Sequence, residues 1–193
     1  MKALDNLVLQ LSKMPRVGRR AAGRIAISLL SNNVWASELL SALDFAIHNI
    51  KPCKICGCLS ENEICEYCAD SARAGTLVIV RDFSDVLVLE KAGVYHGRYH
   101  IIGALLSGVN GITPNDLNIW NIADRIAGED VGEVIFALPN TIDGKTTQGY
   151  IISKLFGVSV KFSELASGVP MGGDLDYIDD GTLTLAFGGR KTL

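Results

Sequence analysis

The chain has 193 residues, of which 48% are hydrophobic and 20% are charged. This composition excludes an intrinsically disordered chain, and the length suits one or two domains. No apolar run reaches the roughly 18 residues that a transmembrane helix needs, and the first ten residues lack the basic-then-apolar pattern of a secretory signal. We therefore expect a soluble cytoplasmic protein with no membrane partner.

The formal net charge is −3, but the charges are unevenly distributed. Residues 1–51 carry seven Lys and Arg against three Asp and Glu, whereas residues 52–193 carry eleven against eighteen. Five basic residues lie within a stretch that contains no acid: Lys13, Arg16, Arg19, Arg20 and Arg24. A small basic region on an acidic body favours a local anion-binding surface over general attraction to a polyanion.

The first 50 residues show the apolar spacing of helices, over about 4–11, 19–30 and 34–50. The turn Met14–Gly18 joins the first two. A helix start offers unpaired N–H groups and a positive dipole end, so this segment looks like a helix-hairpin-helix that binds the nucleic-acid backbone. The usual hairpin has two glycines flanking an apolar residue, and Arg16 replaces the first, where a positive φ would be strained. The alternative is an ordinary surface turn between two helices.

All five cysteines lie between positions 53 and 68. Cys53/Cys56 and Cys65/Cys68 form two CxxC pairs with eight residues between them, which is the pattern of a zinc site with four thiolate ligands. Four protein ligands leave no open position, so we expect one structural zinc ion. The alternatives are free core cysteines or a redox pair. Cys58 is the fifth cysteine, outside the two pairs. It either occupies the core as a small apolar side chain or replaces Cys56 as a ligand.

Beyond the cysteines, apolar strand-like runs (76–80, 99–102, 133–138, 158–162) alternate with helical segments (85–92, 116–127, 146–156), and a short helix is expected over 182–187. Alternating strands and helices predict a mostly parallel α/β sheet. The fold class is therefore an α+β multidomain chain, and it divides into four segments. They are a helix-hairpin-helix domain (1–52), a zinc module (53–72), an α/β domain (73–165) and a C-terminal segment (166–193).

Acidic residues follow two of the predicted strands, where function collects in an open α/β sheet. They are Asp82, Asp85 and Asp143, with Arg81 and Lys145 interspersed. Those cations would compete with a metal ion, so helix capping and solvated turns are favoured over magnesium-dependent phosphoryl transfer.

Two other features suggest chemistry only weakly. His96 and His100 are four residues apart, but Gly97 argues against a helical metal pair, so both are interpreted as structural or surface residues. The acidic run 174–180 is similar to a Walker B strand only loosely and suits an exposed acidic turn or a capped helix start.

The order of these parts resembles the RecR family of bacterial recombination proteins over nearly the whole chain. The most specific segments are Ala92–His100, Gly111–Pro114, Thr146–Ile151 and Ala166–Tyr177. The resemblance implies that the α/β body is a Toprim domain and that the chain assembles into a ring-like tetramer able to encircle DNA. It further implies work with RecO, and in many bacteria RecF, to help load RecA at single-stranded gaps in nucleoid DNA, without catalytic turnover.

The resemblance also suggests roles for residues. The hairpin would contact DNA through Lys13, Arg16, Arg19, Arg20 and Arg24, and acidic Toprim positions would face partner proteins, here Asp82, Asp85 and Asp143. The sequence departs from the family pattern where Arg81 replaces a strand-end Glu, where Lys145 stands in the later acidic pair, and where Arg16 replaces the hairpin glycine. The two CxxC pairs are also closer together than is usual for the family.

Three functions follow as hypotheses. The first is a non-enzymatic mediator of recombinational DNA repair. The second is a Toprim-type metal-dependent nucleic-acid enzyme, such as a nuclease or a primase-like module, against which Arg81 argues. The third is a protein-only adaptor whose basic turn never meets DNA.

Overall fold

The computed structural model describes residues 1–190, so the last three residues of the expected C-terminal segment lie outside the described residues. The chain divides into two compact units, of which the first is Met1–Ile50 and the second begins at Lys51.

The first unit is entirely helical. It contains α1 (Lys2–Leu11), α2 (Arg19–Ser31) and α3 (Asn33–Asn49), which confirms the three predicted helices. Buried Leu11, Ala22, Ala26 and Leu29 form its core. The two alanines are fully buried, and their small side chains let α1 and α2 pack closely.

The second unit starts with the cysteine-rich segment. Strands β1 (Lys51–Pro52) and β2 (Leu59–Ser60) form a short antiparallel hairpin, and the one-turn helix α4 (Glu66–Ala69) follows. This small module has little secondary structure of its own, so its shape depends on what holds the cysteines together.

A four-stranded sheet forms the body of the second unit. Its strands are β3 (Thr76–Val80), β4 (Arg98–Ile101), β5 (Glu133–Ala137) and β6 (Lys161–Glu164), in the order β4-β3-β5-β6 and all parallel. The helices are α5 (Phe83–Ala92), α6 (Ile122–Gly128), α7 (Ile142–Lys154) and α8 (Asp180–Gly188). The predicted mostly parallel sheet is confirmed.

Both faces of this sheet are covered, as parallel sheets require. Leu77 and Ile79 of β3 point to the face that α6 and α7 cover. Val78 and Val80 point to the other face, where α5 and the cysteine module pack. The zinc module therefore shares a hydrophobic core with the sheet.

Three of the predicted elements begin three residues or more away from where the structure places their starts. Helix α6 begins at Ile122 instead of 116, because Thr113 and Asp116 form a capping box that closes a separate 3-10 turn at Pro114–Asp116. Helix α7 begins at Ile142 instead of 146, because the Thr141 side chain accepts from the Gly144 amide at 3.1 Å. Strand β6 begins at Lys161 instead of 158, because local turn hydrogen bonds occupy the amides of Val158 and Val160.

Within residues 1–190, no helix combines the length and the apolar character needed to cross a bilayer.

Candidate zinc centre and nucleic-acid interface

The four predicted zinc ligands converge on one point. The Sγ atoms of Cys53, Cys56, Cys65 and Cys68 all lie within 4.8 Å of one another. Four sulfur atoms around a tetrahedral zinc ion at about 2.3 Å are separated by about 3.8 Å, so the cluster has the size that zinc requires. Three of the four side chains are buried, and Cys68 is half-buried.

Backbone geometry prepares the cluster for thiolates. The amide of Cys58 lies 3.4 Å from the Sγ of Cys56, and the amide of Cys65 lies 3.3 Å from the Sγ of Cys53. Each N–H group donates to a sulfur atom and favours its negatively charged form, which is the form that binds zinc. Gly57 forms the turn directly after the first cysteine pair. Its φ is 80°, a backbone conformation that residues with a side chain rarely adopt.

The donor set therefore fits a structural zinc ion held by four cysteines, which leave no open position. Cys58 is fully buried but stands outside the group of four converging sulfur atoms. When bound, zinc cross-links the two segments that carry the cysteine pairs. These segments are also joined at Lys54, whose amide donates to Glu63 O at 3.0 Å and whose ammonium pairs with the Glu63 carboxylate at 2.8 Å.

The first cysteine pair is fixed to the edge of the sheet. The Ile101 amide of β4 donates to Cys56 O at 2.8 Å, and the Asn121 side chain donates to Ile55 O at 2.8 Å. The Asn118 side chain donates to Ile101 O at 2.9 Å and lies beside Gly57. The module thus covers an edge strand that would otherwise expose backbone groups.

The second cysteine pair is held by a partly buried ion pair. Arg73 makes two hydrogen bonds to the Glu90 carboxylate, at 2.7 and 2.9 Å, and its guanidinium lies 5.0 Å from the centroid of the Tyr67 ring. Tyr99 OH donates to the same carboxylate at 2.6 Å. The Arg73 guanidinium lowers the pKa of Glu90, so the carboxylate stays charged and keeps the zinc module on α5.

Behind the zinc module, β4 and α6 share a polar network. His100 is buried, and its Nε2 lies 2.6 Å from Asn118 O while its Nδ1 lies 3.0 Å from an Arg125 nitrogen. A neutral ring that donates from Nε2 and accepts at Nδ1 satisfies both contacts. Burial lowers the pKa of His100 to about 4. The structural interpretation of His100 is confirmed, and His96 is exposed.

The predicted anion-binding residues lie at the turn between α1 and α2. Lys13, Arg16, Arg19, Arg20 and Arg24 are all exposed, and within residues 1–190 none of them forms an ion pair. Gly18 is the N-cap of α2 and offers no side chain to the free amides of the first turn. That turn carries no acid, although a helix start favours negative charge.

Arg16 adopts the strained conformation that its position predicts. Its φ is 64°, one of two positive values among the non-glycine residues from 1 to 190. The Val17 amide donates to Met14 O at 3.1 Å, so Pro15 and Arg16 are the central residues of a turn whose second central position favours glycine. The turn therefore keeps the backbone conformation that glycine usually adopts at this position, and Arg16 adds a positive charge there.

The acidic residues after β3 cap a helix. Asp82 accepts from the Ser84 amide at 2.9 Å, while Asp85 accepts from the Arg81 and Asp82 amides at 3.2 Å, which makes a reciprocal capping box at the start of α5. Arg81 pairs with the Asp82 carboxylate at 2.9 Å. These contacts agree with the expected capping role.

Asp143 lies in the first turn of α7, and nearby Lys145 pairs with Glu164 of β6 at 2.5 Å. Among the described residues, the cysteines form the one group of three or more Cys, His, Asp or Glu side chains with converging ligand atoms. The three aspartates are not brought together as a metal-binding group.

Family comparisons match three regions of the chain. Residues 50–70 match the four-cysteine zinc finger domain of RecR, residues 75–166 match the Toprim domain, and residues 168–191 match the C-terminal region of RecR. These matches and the parallel sheet define a Toprim-domain protein with a four-cysteine zinc finger.

Curated relatives align over almost the entire chain. The chain is 42% identical over 190 residues to recombination protein RecR of Rhodospirillum rubrum, covering 97% of this chain and 96% of the relative. It is 40% identical to recombination protein RecR of Maricaulis maris, covering 98% and 96%, and 40% identical to that of Caulobacter vibrioides, covering 97% and 95%. The chain belongs to the RecR family of recombination proteins.

The sequence did not reveal the residues that attach the zinc module to the sheet. Asn121 contacts Ile55 across 66 positions of sequence, and no local motif marks either residue. The zinc ligands themselves could be predicted from the sequence, because the spacing of two CxxC pairs is enough to bring four thiols together.

Proposed function

We propose that this chain is a non-enzymatic mediator of recombinational DNA repair, which binds gapped DNA together with RecO, and with RecF where it is present, and helps load RecA. It acts in the cytoplasm on nucleoid DNA. The observation that carries the proposal is the exposed group of cations around the open start of α2, defined here as the basic hairpin (Lys13, Arg16, Arg19, Arg20, Arg24).

The basic hairpin suits phosphate contacts without base readout. The first-turn amides of α2 have no side-chain cap, and the neighbouring arginines are unpaired among residues 1–190. Two adjacent cations, Arg19 and Arg20, are unfavourable at the positive end of a helix dipole. A bound phosphate would relieve that repulsion and accept hydrogen bonds from both the backbone and the guanidinium groups.

One hairpin supplies only a few cations, so useful affinity requires several copies. Helix α3 supports assembly into a tetrameric ring, because it buries no residue and exposes a series of large apolar side chains. They are Val34, Trp35, Leu39, Leu40, Leu43, Phe45 and Ile47. A helix that is apolar around most of its surface needs a covering partner, and a second copy would multiply the phosphate contacts by multivalency.

The partner contact is assigned to the carboxyl edge of the sheet. Asp85, Val88, Leu89, Ala137 and Leu165 line a cleft of about 160 Å³ there. Asp82 follows β3 and Asp143 follows β5, so both lie toward this edge. The edge therefore combines a shallow apolar surface with carboxylates. This combination suits a protein partner with a complementary basic, apolar patch.

Fluorescence anisotropy of a gapped duplex, at low and moderate salt and with or without RecO, tests the proposal. We expect salt-sensitive binding that Arg19→Ala/Arg20→Ala weakens about tenfold or more, because each lost phosphate contact reduces the electrostatic contribution. Lys2→Ala/Lys91→Ala removes two exposed cations elsewhere and should leave the affinity nearly unchanged.

Two results would overturn the proposal. Absence of DNA binding in every condition, RecO included, would favour a protein-only adaptor. Metal-dependent cleavage of the gapped duplex that Asp143→Ala abolishes would favour a Toprim enzyme.

A further inference from the structure

An aromatic cleft lies on the sheet face opposite the zinc module. It has a volume of about 440 Å³ and lies between α6, α7 and the loop before α6. We define the aromatic cleft by Pro114, Leu117, Trp120, Ala123, Tyr150 and Lys154. Its volume is within the range of sites that hold a small ligand or one or two side chains.

Trp120 makes this cleft unusual. Its neighbours Asn121 and Ile122 are buried, yet Trp120 is 76% exposed. Phe156 is 95% exposed just beyond the end of α7, but it does not line the cleft. Large exposed aromatic side chains beside a concavity are typical of the central residues of protein interfaces, where they bury much apolar area with few rotatable bonds.

Lys154 gives the cleft a definite charge. Its ammonium lies 5.5 Å from the centroid of the Tyr150 ring, and within the part of the chain that the structure describes it forms no ion pair. By contrast, Lys145 and Lys161 pair with Glu164 and Glu133. Of the described residues that line the cleft, Lys154 is also the one that carries a charge.

We propose that the aromatic cleft binds a peptide segment of a partner protein that presents a large apolar side chain next to carboxylates, such as an acidic chain terminus. The apolar side chain would pack against Trp120 and Tyr150, and a carboxylate would pair with Lys154. Charge complementarity with an unpaired ammonium selects an acidic peptide over a basic or neutral one.

A nucleic-acid strand fits this cleft less well. Stacking on Trp120 would suit a base, but tracking a phosphate backbone requires several cations, and Lys154 stands alone among the lining residues. The basic hairpin, which has those cations, belongs to the other structural unit. The peptide site is therefore independent of the proposed DNA contacts.

Titration of fluorescein-labelled hexapeptides with the full-length protein tests the assignment. The acidic set contains glycine, serine and two aspartates and ends in a free-acid phenylalanine, leucine or tryptophan. The neutral set replaces aspartate by asparagine and carries an amidated end. We expect at least one acidic peptide to bind with a Kd below about 1 mM. The Kd of its neutral counterpart should be higher by a factor of roughly five or more.

Two variants and one control locate the site. Trp120→Ala should weaken acidic-peptide binding about tenfold or more, because the exposed ring supplies most of the apolar contact. Lys154→Glu should abolish the preference for acidic peptides and favour a lysine-containing version. Lys91→Glu makes the same charge change on exposed α5 and should leave peptide binding unchanged.

The proposal is wrong if no acidic peptide binds, or if binding is unaffected by Trp120→Ala. It is also wrong if an oligothymidylate binds the cleft in a Trp120-dependent manner, or if Trp120→Ala reduces the oligomer mass in light scattering, because a nucleic acid or a second copy would then be the occupant. Failure of Arg19→Ala/Arg20→Ala to affect DNA binding would leave the peptide result unchanged, so the two proposals can fail separately.

Discussion

The amide of Ile101 donates a 2.8 Å hydrogen bond to the carbonyl oxygen of Cys56. This bond joins an edge strand of the sheet to the turn that carries two of the zinc ligands. Cys53, Cys56, Cys58 and Cys65 also share one hydrophobic cluster with Val78, Val80 and Tyr99. Zinc therefore organises a loop that is part of the core of the second unit. Loss of zinc should destabilise the sheet as well as the loop.

Cys65→Ser should remove zinc and destabilise the second unit. Only three thiolates would remain, and much of the binding free energy of a structural zinc is folding free energy. We expect the zinc-to-protein ratio to fall from near one to near zero in an elemental analysis. The melting temperature should fall by roughly 10 °C, which corresponds to about 3 kcal/mol or more for a chain of this size.

Cys58→Ser is the matched control, because Cys58 is equally buried but lies outside the four converging sulfur atoms. It should keep a zinc-to-protein ratio near one and lose only modest stability. If Cys58→Ser lost zinc while Cys56→Ser kept it, Cys58 would be the ligand in place of Cys56.

Local sequence patterns predicted the elements better than their connections. The CxxC spacing identified the four thiols, and the apolar runs identified β3 and β5, because both signals are contained in a few adjacent residues. The separate turn at Thr113–Asp116 and the late start of β6 were missed, because capping and turn hydrogen bonds override apolar periodicity there. Attachment of the cysteine module through Asn121 depends on tertiary packing and has no local signature.

His100 should make stability fall in mild acid. Its pKa is about 4 in the folded chain and about 6.5 when unfolded, so the unfolded state binds the proton more readily. The stabilisation from keeping the ring neutral is complete above pH 6.5 and is lost progressively as the pH falls toward 4, by up to about 3 kcal/mol. Urea unfolding at a series of pH values measures this slope.

His100→Gln removes the titration and should flatten that part of the pH profile, while lowering stability at pH 8 through an imperfect fit to Asn118 and Arg125. His96→Gln replaces an exposed histidine and should reproduce the original slope. Zinc is held at the same excess for all three proteins, so acid-induced zinc loss affects them equally. An unchanged slope in His100→Gln would contradict the assignment.

Arg16→Gly should stabilise the helical unit and weaken DNA binding at the same time. Its φ of 64° costs a non-glycine residue about 1 kcal/mol, and glycine removes that strain. We expect a gain of roughly 0.5 kcal/mol after the extra flexibility of unfolded glycine is included. Helix circular dichroism during urea unfolding measures the gain, and anisotropy with gapped DNA measures the loss.

Arg16→Lys separates the two effects, because it keeps both the charge and the strained backbone. It should unfold at nearly the original urea concentration and bind DNA nearly as well. Equal DNA affinity for Arg16→Gly and Arg16→Lys would mean that the positive charge at position 16 does not contribute to DNA binding.

Gly144 should be intolerant of any side chain. A Cβ atom there would overlap the carbonyl oxygen of Pro139, which is a backbone atom and cannot move aside as the end of a flexible side chain could. Thr147 connects the same turn to the rest of the fold, since its hydroxyl donates to Asp143 O at 2.6 Å and accepts from the Leu106 amide at 2.8 Å. Gly144→Ala should therefore cost about 2 kcal/mol through overpacking and shift the start of α7.

Gly149 lies on the same helix, and among residues 1–190 no atom lies within 4 Å of the place its Cβ would take, so we expect the opposite effect there. Gly149→Ala should stabilise the chain by about 0.5 to 1 kcal/mol, because alanine loses less backbone entropy than glycine within a helix. Thermal unfolding of the two variants measures the difference. A neutral Gly144→Ala would mean that the turn from β5 to α7 relaxes easily, and then the placement of Asp143 at the carboxyl edge would not be rigid enough to fix a partner contact.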